Sequence, residues 1–235
     1  MTADELARIA VWSGSITPAE LRHVAPAARF RQLTRGEHLL HLDDKVDAWH
    51  GAIEGVLRVG LVSDDGQVAG FSAVIGGAWF GEGSILKNEP RRYHVVAVTD
   101  ARVAVLPGDM FRWLTRHSVG FNQYLVGLLN ERLGHFIATV VSDRTGNASA
   151  RLAYTIASLY NPVLFPRTPD ILVMPQEDLG IFAGLSRQMT NRCLRELADQ
   201  GLLRITADGV KVLDVKGLVA FGDSNSFRSS ARILK

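Results

Sequence analysis

The chain has 235 residues, 47% of them hydrophobic, with 26 Lys+Arg against 24 Asp+Glu. That length suits one large domain or two ordinary ones. Its single cysteine, Cys193, excludes an internal disulfide, an all-cysteine metal site and an iron–sulfur cluster within one chain. No apolar run approaches the roughly 20 residues that span a bilayer, and the acidic start MTADELARIAVWSGS is no signal peptide. A cytoplasmic protein with no membrane partner is expected. The charge is uneven: residues 144–235 hold 12 Lys+Arg and 8 Asp+Glu, leaving 14 and 16 for residues 1–143. A basic excess in the C-terminal part suits phosphate binding.

In chain order, Thr2 to Val11 reads as a short amphipathic helix. Thr17-Pro18-Ala19-Glu20 is a helix start, with Thr as cap, Pro at the first position and Glu at the third. From Phe30 to Leu106, short β-rich runs alternate with turn signals such as Arg35-Gly36, Asp64-Asp65-Gly66 and Asn88-Glu89-Pro90. Many short strands at that rhythm predict a sandwich or jelly-roll barrel. Asp109 to His117 is a short helix, and a long one follows over Val119 to Ser142. The long helix carries a heptad seam, Val126, Leu129, Leu133, Phe136 and Val140, with Asn122 in the remaining core slot. Leu125 and Leu128 lie on its other side, so that side is expected to face the barrel while the seam pairs with a second copy; the alternative is a helix packed only on its own barrel. Asp143-Arg144-Thr145-Gly146-Asn147 is the expected hinge, and a helix follows over Ala148 to Tyr160. Pro-rich Asn161 to Met174 reads as strand-loop-strand, and Ser-rich Val219 to Lys235 as a partly disordered tail.

Gln176 to Asp214 carries the most specific pattern. A short helix, Glu177 to Phe182, meets the turn Ala183-Gly184-Leu185, and Ser186 then stands as N-cap of a helix over Arg187 to Gln200. Two helices joined by a tight Gly-containing turn predict a DNA-binding helix-turn-helix. On the second helix Thr190, Cys193, Leu194 and Leu197 form the inner stripe. Arg187, Gln188, Asn191, Arg192 and Arg195 form an outer stripe without an acid. Arg reads guanine and Gln or Asn reads adenine with paired hydrogen bonds. The run Leu203 to Leu213, with Ala207-Asp208-Gly209 at its centre, reads as a hairpin, which makes the motif winged.

These features together resemble the Crp–Fnr family of bacterial transcription regulators over about residues 15–215. The anchors are Leu185-Ser186-Arg187-Gln188 through Arg192, similar to the family's recognition helix, and Phe80 to Leu86, Pro90-Arg91 and Val95 to Val98, similar to its phosphate-binding cassette. The resemblance implies an α+β fold: a jelly-roll, cyclic-nucleotide-binding-like domain over residues 1–118, a dimerisation helix and hinge over 119–143, a winged helix-turn-helix over 144–217, and a tail over 218–235. It implies that Arg187, Gln188 and Arg192 read bases of double-stranded, palindromic DNA; Ser186 at the cap and Asn191 and Arg195 on the same outer stripe are expected to join the contact. It further implies a homodimer, RNA polymerase as partner, and an effector site at Gly81, Glu82, Gly83, Ser84 and Arg91; Arg92 and Phe136 join the candidates as residues of this chain that depart from the family pattern.

The cassette departs from the cyclic-AMP pattern in two places. Arg92 follows Arg91 where cyclic-AMP binders carry a small residue. The two adenine-holding positions become Phe136 and Ile137, which leave adenine's polar atoms unpaired at roughly 1–3 kcal/mol each. An anionic small molecule other than cyclic AMP, or no effector, is therefore expected. His38 and His41, three apart on a strand, should face opposite sides. With His50, His94, His117 and His135 they read as scattered barrel histidines, and no metal site is expected. Asp43, Asp44 and Asp47 read as a solvated turn, lacking a calcium loop's ligand series. No catalytic constellation is present, so no enzyme is expected. The alternative reading is a cyclic-nucleotide-binding module without a DNA role.

Overall fold

The computed structural model describes residues 1–62 and 68–230. The expected Asp64-Asp65-Gly66 turn and the last five residues of the tail lie outside the described residues. Helices α1 (Ala3–Ile9) and α2 (Pro18–Val24) flank a 3₁₀ turn over Val11–Ser15. Both begin with a capping box: at α2 the Thr17 hydroxyl accepts from the Glu20 amide at 3.3 Å and the Glu20 carboxylate accepts from the Thr17 amide at 2.6 Å.

Eight strands follow: β1 (Arg29–Leu33), β2 (His38–Leu40), β3 (Ala48–Glu54), β4 (Leu57–Val62), β5 (Val68–Val74), β6 (Trp79–Phe80), and, after helix α3 (Glu82–Lys87), β7 (His94–Ala97) and β8 (Ala101–Pro107). They form two antiparallel four-stranded sheets, ordered β1-β8-β3-β6 and β2-β7-β4-β5. This is the expected jelly roll. Its core is aromatic. The buried Trp12 ring lies 5.6 Å from Trp49 and 5.4 Å from Trp79, and Trp49 lies 5.2 Å from Phe111 and 5.6 Å from Phe121. Edge and tilted contacts of this kind hold the 3₁₀ turn, two strands and the next two helices to one centre.

Those helices are α4 (Gly108–His117) and α5 (Val119–Thr145). Gly120 lets α5 start hard against the 3₁₀ turn, since a Cβ there would sit 1.8 Å from the Ser15 carbonyl oxygen. Phe121, Leu125 and Leu128 are buried against the barrel. Val126, Leu133, Ile137 and Val140 are exposed, Val126 by 68% and Leu133 by 58%. The two-sided reading of this helix therefore holds in geometry. Two details differ. Asn122 does not fill a seam slot: its side-chain amide donates back to the Thr115 and Ser118 carbonyls at 2.8 and 2.9 Å. The helix also runs through Asp143-Arg144-Thr145, because none of these residues breaks a helix and Thr145 bonds back to the Val141 carbonyl at 2.8 Å. The chain turns only at Gly146 and Asn147, both extended, and Asn147 caps the next helix by accepting from the Ala150 amide at 2.8 Å.

The C-terminal domain holds α6 (Ala148–Ser158), β9 (Ile171–Leu172), α7 (Gln176–Ala183), α8 (Arg187–Asp199), β10 (Leu203–Ile205), β11 (Val210–Val212) and α9 (Val215–Ser230). Its small sheet is ordered β10-β11-β9. Where strand-loop-strand was expected over 161–174, one strand forms, preceded by turns that the Asn161 carboxamide closes by accepting from the Val163 and Leu164 amides. The tail expected to be partly disordered is helical to Ser230, the last described residue, and packs on α6. Asp214 starts it, accepting from the Gly217 amide at 2.8 Å, and Leu218 is fully buried. Serine content masked that cap and its apolar contact. Among the described residues no helix is long and apolar enough to cross a membrane.

Candidate nucleic-acid interface and effector cavity

Helix α7 ends at Gly184, which takes the left-handed conformation at φ +62°. Ser186 then caps α8, its hydroxyl accepting from the Met189 amide at 3.3 Å. Gly180 lets the two helices touch, since a Cβ there would lie 2.4 Å from the Thr190 hydroxyl. Thr190, Cys193, Leu194 and Leu197 are all buried, as the periodicity predicts. On the other side Ser186, Arg187, Gln188, Arg192 and Arg195 are exposed and Asn191 is half-buried. Among the described residues none of the three arginines makes an ion pair, so their guanidinium groups are uncommitted. The hairpin β10–β11 stands beside them, its turn closed by the Thr206 amide donating to the Gly209 carbonyl at 2.9 Å. Exposed, unpaired, amide-bearing and cationic, this helix face can meet phosphates and base edges.

A cavity of about 300 Å³ lies between the β4–β5 sheet, α3, α5 and the connector after α6. Phe71, Trp79, Phe80, Phe136, Leu164 and Phe165 supply its apolar wall. Of the expected effector residues, Glu82, Gly83, Ser84, Arg92 and Phe136 line it, whereas Gly81 and Arg91 do not. Arg91 is fully buried and donates to the Gly81 and Ala48 carbonyls at 3.0 and 2.6 Å. Its bidentate edge is thus spent on the backbone. Glu82, also buried, accepts from the Trp49 indole N–H at 3.3 Å and from Arg132. Arg132 further donates to the Trp79 carbonyl at 3.0 Å. Arg92 is turned to Glu89, 2.6 Å away. Burial pushes the Tyr93 phenol above its ordinary range, so it stays neutral at the cavity wall.

Residues 30–118 match the Cyclic nucleotide-binding domain family, and residues 150–221 match the Crp-like helix-turn-helix domain family. The chain belongs to the Crp–Fnr family. It is 25% identical over 193 residues to the transcriptional regulatory protein btr of Bordetella pertussis, covering 80% of this chain and 78% of that one. It is likewise 25% identical over 209 residues to the cyclic AMP receptor protein of Thermus thermophilus, covering 88% and 95%. Among solved structures, FixK2 from Bradyrhizobium japonicum superposes with a TM-score of 0.71 at 18% identity, over 83% of this chain and 96% of that one. A lysophospholipase NTE1 from Coccidioides immitis is matched at 24% identity over only 10% of its length, which is a shared domain and no more. The relatives matched over most of their length are transcription regulators, and this Crp–Fnr chain is a DNA-binding regulator with a cyclic nucleotide-binding domain and a Crp-like helix-turn-helix domain.

Sequence reasoning about this Crp–Fnr protein missed three features. Arg132 was overlooked between Glu131 and Leu133; the signal was a cation set between the seam side and the barrel side of α5. The second is a contact between domains: Arg58 on β4 meets Asp178 on α7 at 2.5 Å, and Gly70 lies so close to α7 that a Cβ would be 2.7 Å from Ile181 Cγ2. Burial raises the Asp178 carboxyl above its ordinary range, outweighing the pull of Arg58. The third is a correction. His38 and His41 do not face opposite sides: their rings stack at 4.5 Å, and both meet His94 edge-on at 5.6 and 6.0 Å. An irregularity in the β2–β7 pairing between His38 and Leu40 shifts the register by one residue and resets which side each residue faces. Burial, then the neighbouring His41 and His94, hold His38 below its ordinary pKa. His50, by contrast, is buried with its ring stacked on Phe80, and burial, then the charge of Arg91, lowers it to about 3.

Proposed function

We propose that this Crp–Fnr regulator acts in the cytoplasm as a homodimer that binds a palindromic DNA site through α8 and communicates with RNA polymerase, without enzymatic activity of its own. The observation that carries the reading is the outer face of α8: Arg187, Gln188, Arg192 and Arg195 are exposed, with no ion pair among the described residues, over an inner face that is wholly buried. The exposed apolar seam of α5, Val126, Leu129, Leu133, Phe136 and Val140, supports pairing with a second copy. A two-fold pair presents two recognition helices about 34 Å apart, one turn of DNA.

Arg187, Gln188 and Arg192 read base edges, and Ser186, Asn191 and Arg195 complete the contact. The effector is an anionic small molecule held in the cavity beside Arg132, Arg92 and Glu82, and cyclic AMP is disfavoured. Arg91, which the family resemblance assigns to a phosphate, already commits both terminal nitrogens to backbone carbonyls, and Phe136 offers adenine no hydrogen bond. Binding should weaken steeply with salt as counterions return to phosphate. Against a selected DNA site, Arg187→Ala should cost about 1–3 kcal/mol and relax preference at one base pair. Fluorescence anisotropy on a set of single-base variants decides the point. An equal loss on every DNA sequence makes Arg187 a phosphate contact and refutes its base-reading role.

A further inference from the structure

We propose that His38, His41 and His94 form a binding site for one divalent transition-metal ion of the zinc class per chain. The strand register builds the cluster. His38 stands opposite Val96 across the β2–β7 pairing, and His94, two residues before Val96, shares the Val96 face. The register shift after His38 returns His41 to that face. The loop carrying His41 is tied down: its amide donates to the Asp44 carboxylate at 2.7 Å, the Asp43 amide to the Arg91 carbonyl at 2.8 Å, and the Arg91 amide to the Asp44 carbonyl at 2.9 Å.

The three imidazoles offer one nitrogen each within 4.8 Å of one another. Two nitrogens on one tetrahedral zinc ion lie about 3.4 Å apart, given a Zn–N bond of about 2.1 Å. The rings therefore need to close by up to about 1.4 Å. His41 is exposed and can turn, and the parallel His38–His41 pair must splay to let both lone pairs converge. His38 Nδ1 is buried and has no hydrogen-bond partner among the described residues, so that nitrogen gives up no hydrogen bond on ligation. His94 Nδ1 accepts from the Leu42 amide at 3.2 Å, so an ion competes with one long hydrogen bond for that ring. All-imidazole donors select zinc, copper, nickel or cobalt over magnesium and calcium, which prefer oxygen. The site is separate from the effector cavity, which His94 does not line. It lies on the outer sheet face shared with Arg58, which also stands opposite Val96 and reaches Asp178 of α7.

The test is calorimetric titration of ZnCl₂ into the chelator-treated full chain at neutral pH, with MgCl₂ as the oxygen-preferring comparison. One zinc ion per chain and no magnesium binding are expected. His41→Ala and His94→Ala should each weaken zinc by at least about tenfold, the low end of what losing even an outer partner of a metal site costs. His117→Ala, whose ring stacks on Trp113, should leave the affinity unchanged. Circular dichroism of metal-free His41→Ala checks that this exposed substitution leaves the fold intact. Absence of zinc binding, or binding that survives both His41→Ala and His94→Ala, overturns the assignment.

Discussion

Arg132 and Glu82 give the sharpest test of how the sensor domain is held to its long helix. The Glu82 side chain is 3% exposed and that of Arg132 26%, and the remaining partner of the Glu82 carboxylate is the Trp49 indole at 3.3 Å. Arg132→Met keeps most of the side chain's length and removes its charge. Stripping one partner from a buried pair costs about 3–5 kcal/mol, because the other charge stays buried and uncompensated. Solvent reaches part of Arg132 and Trp49 still donates, so about 2–3 kcal/mol is expected here. In a chain of this size each kcal/mol moves the melting temperature by about 2–4 °C, which gives a fall of about 4–12 °C. Glu82→Gln should cost only about 1 kcal/mol, since the guanidinium it leaves is partly solvated and still bonded to the Trp79 carbonyl. The double variant should be more stable than the sum of the two losses predicts, by about 1 kcal/mol or more. Thermal melts followed by circular dichroism at one chain concentration supply all four corners. A melting temperature for Arg132→Met within about 1 °C of wild type refutes the reasoning, as do strictly additive losses.

Leu133→Glu places a charge in the middle of the α5 seam, and light scattering coupled to gel filtration should show the mass of one chain where the wild type shows two. His50 is lowered to about 3 from an ordinary 6.5, so between those pH values the unfolded chain takes up a proton that the folded chain refuses. Stability should fall as pH falls through that window, by up to roughly 4 kcal/mol, and urea midpoints of His50→Gln should show a flatter profile than wild type. Asp178 shifts the other way: its raised carboxyl binds a proton more tightly when folded, so its cost grows as pH rises from the ordinary carboxylate range through the raised value. Asp178→Asn should remove that slope in the same urea series, and Arg58→Ala should steepen it by taking away the guanidinium that bonds the carboxylate at 2.5 Å.

What was legible in the sequence follows from how local the signal is. The recognition helix could be read residue by residue because a cap, a 3.6-residue period and a Gly turn are all short-range: Ser186, Gly184 and the buried Thr190–Leu197 stripe stand where the pattern puts them. The end of α5 was misplaced because Gly146 and Asn147 stop the helix, while the polar residues before them do not. The cluster of His38, His41 and His94 was invisible because one irregular residue in β2 reverses the face that alternation assigns, and no local composition announces it. Arg91 is the subtlest case. Its presence was legible, but its direction depends on the Gly81 and Ala48 carbonyls that only the folded barrel brings to it.

The long helix explains why those long-range contacts matter for regulation. Successive turns of α5 face three surroundings: Leu125 and Leu128 the barrel, Leu129 and Leu133 the seam, Arg132 and His135 the cavity. Phe136 belongs to two of them, lining the cavity while 39% exposed on the seam side. An effector that enters the cavity meets Arg132 already held by Glu82 and the Trp79 carbonyl, so it can bind there only by adding to that network or by displacing part of it. A ligand shifts a conformational equilibrium only by its difference in affinity between the two states. The difference available here is set by whether α5 keeps or loses its hold on α3 and β6. Leu164 and Phe165 of the connector close the same cavity, and Arg58 and Asp178 tie the same sheet to α7, so these are the two packed contacts through which a change in that hold would have to reach the recognition helix.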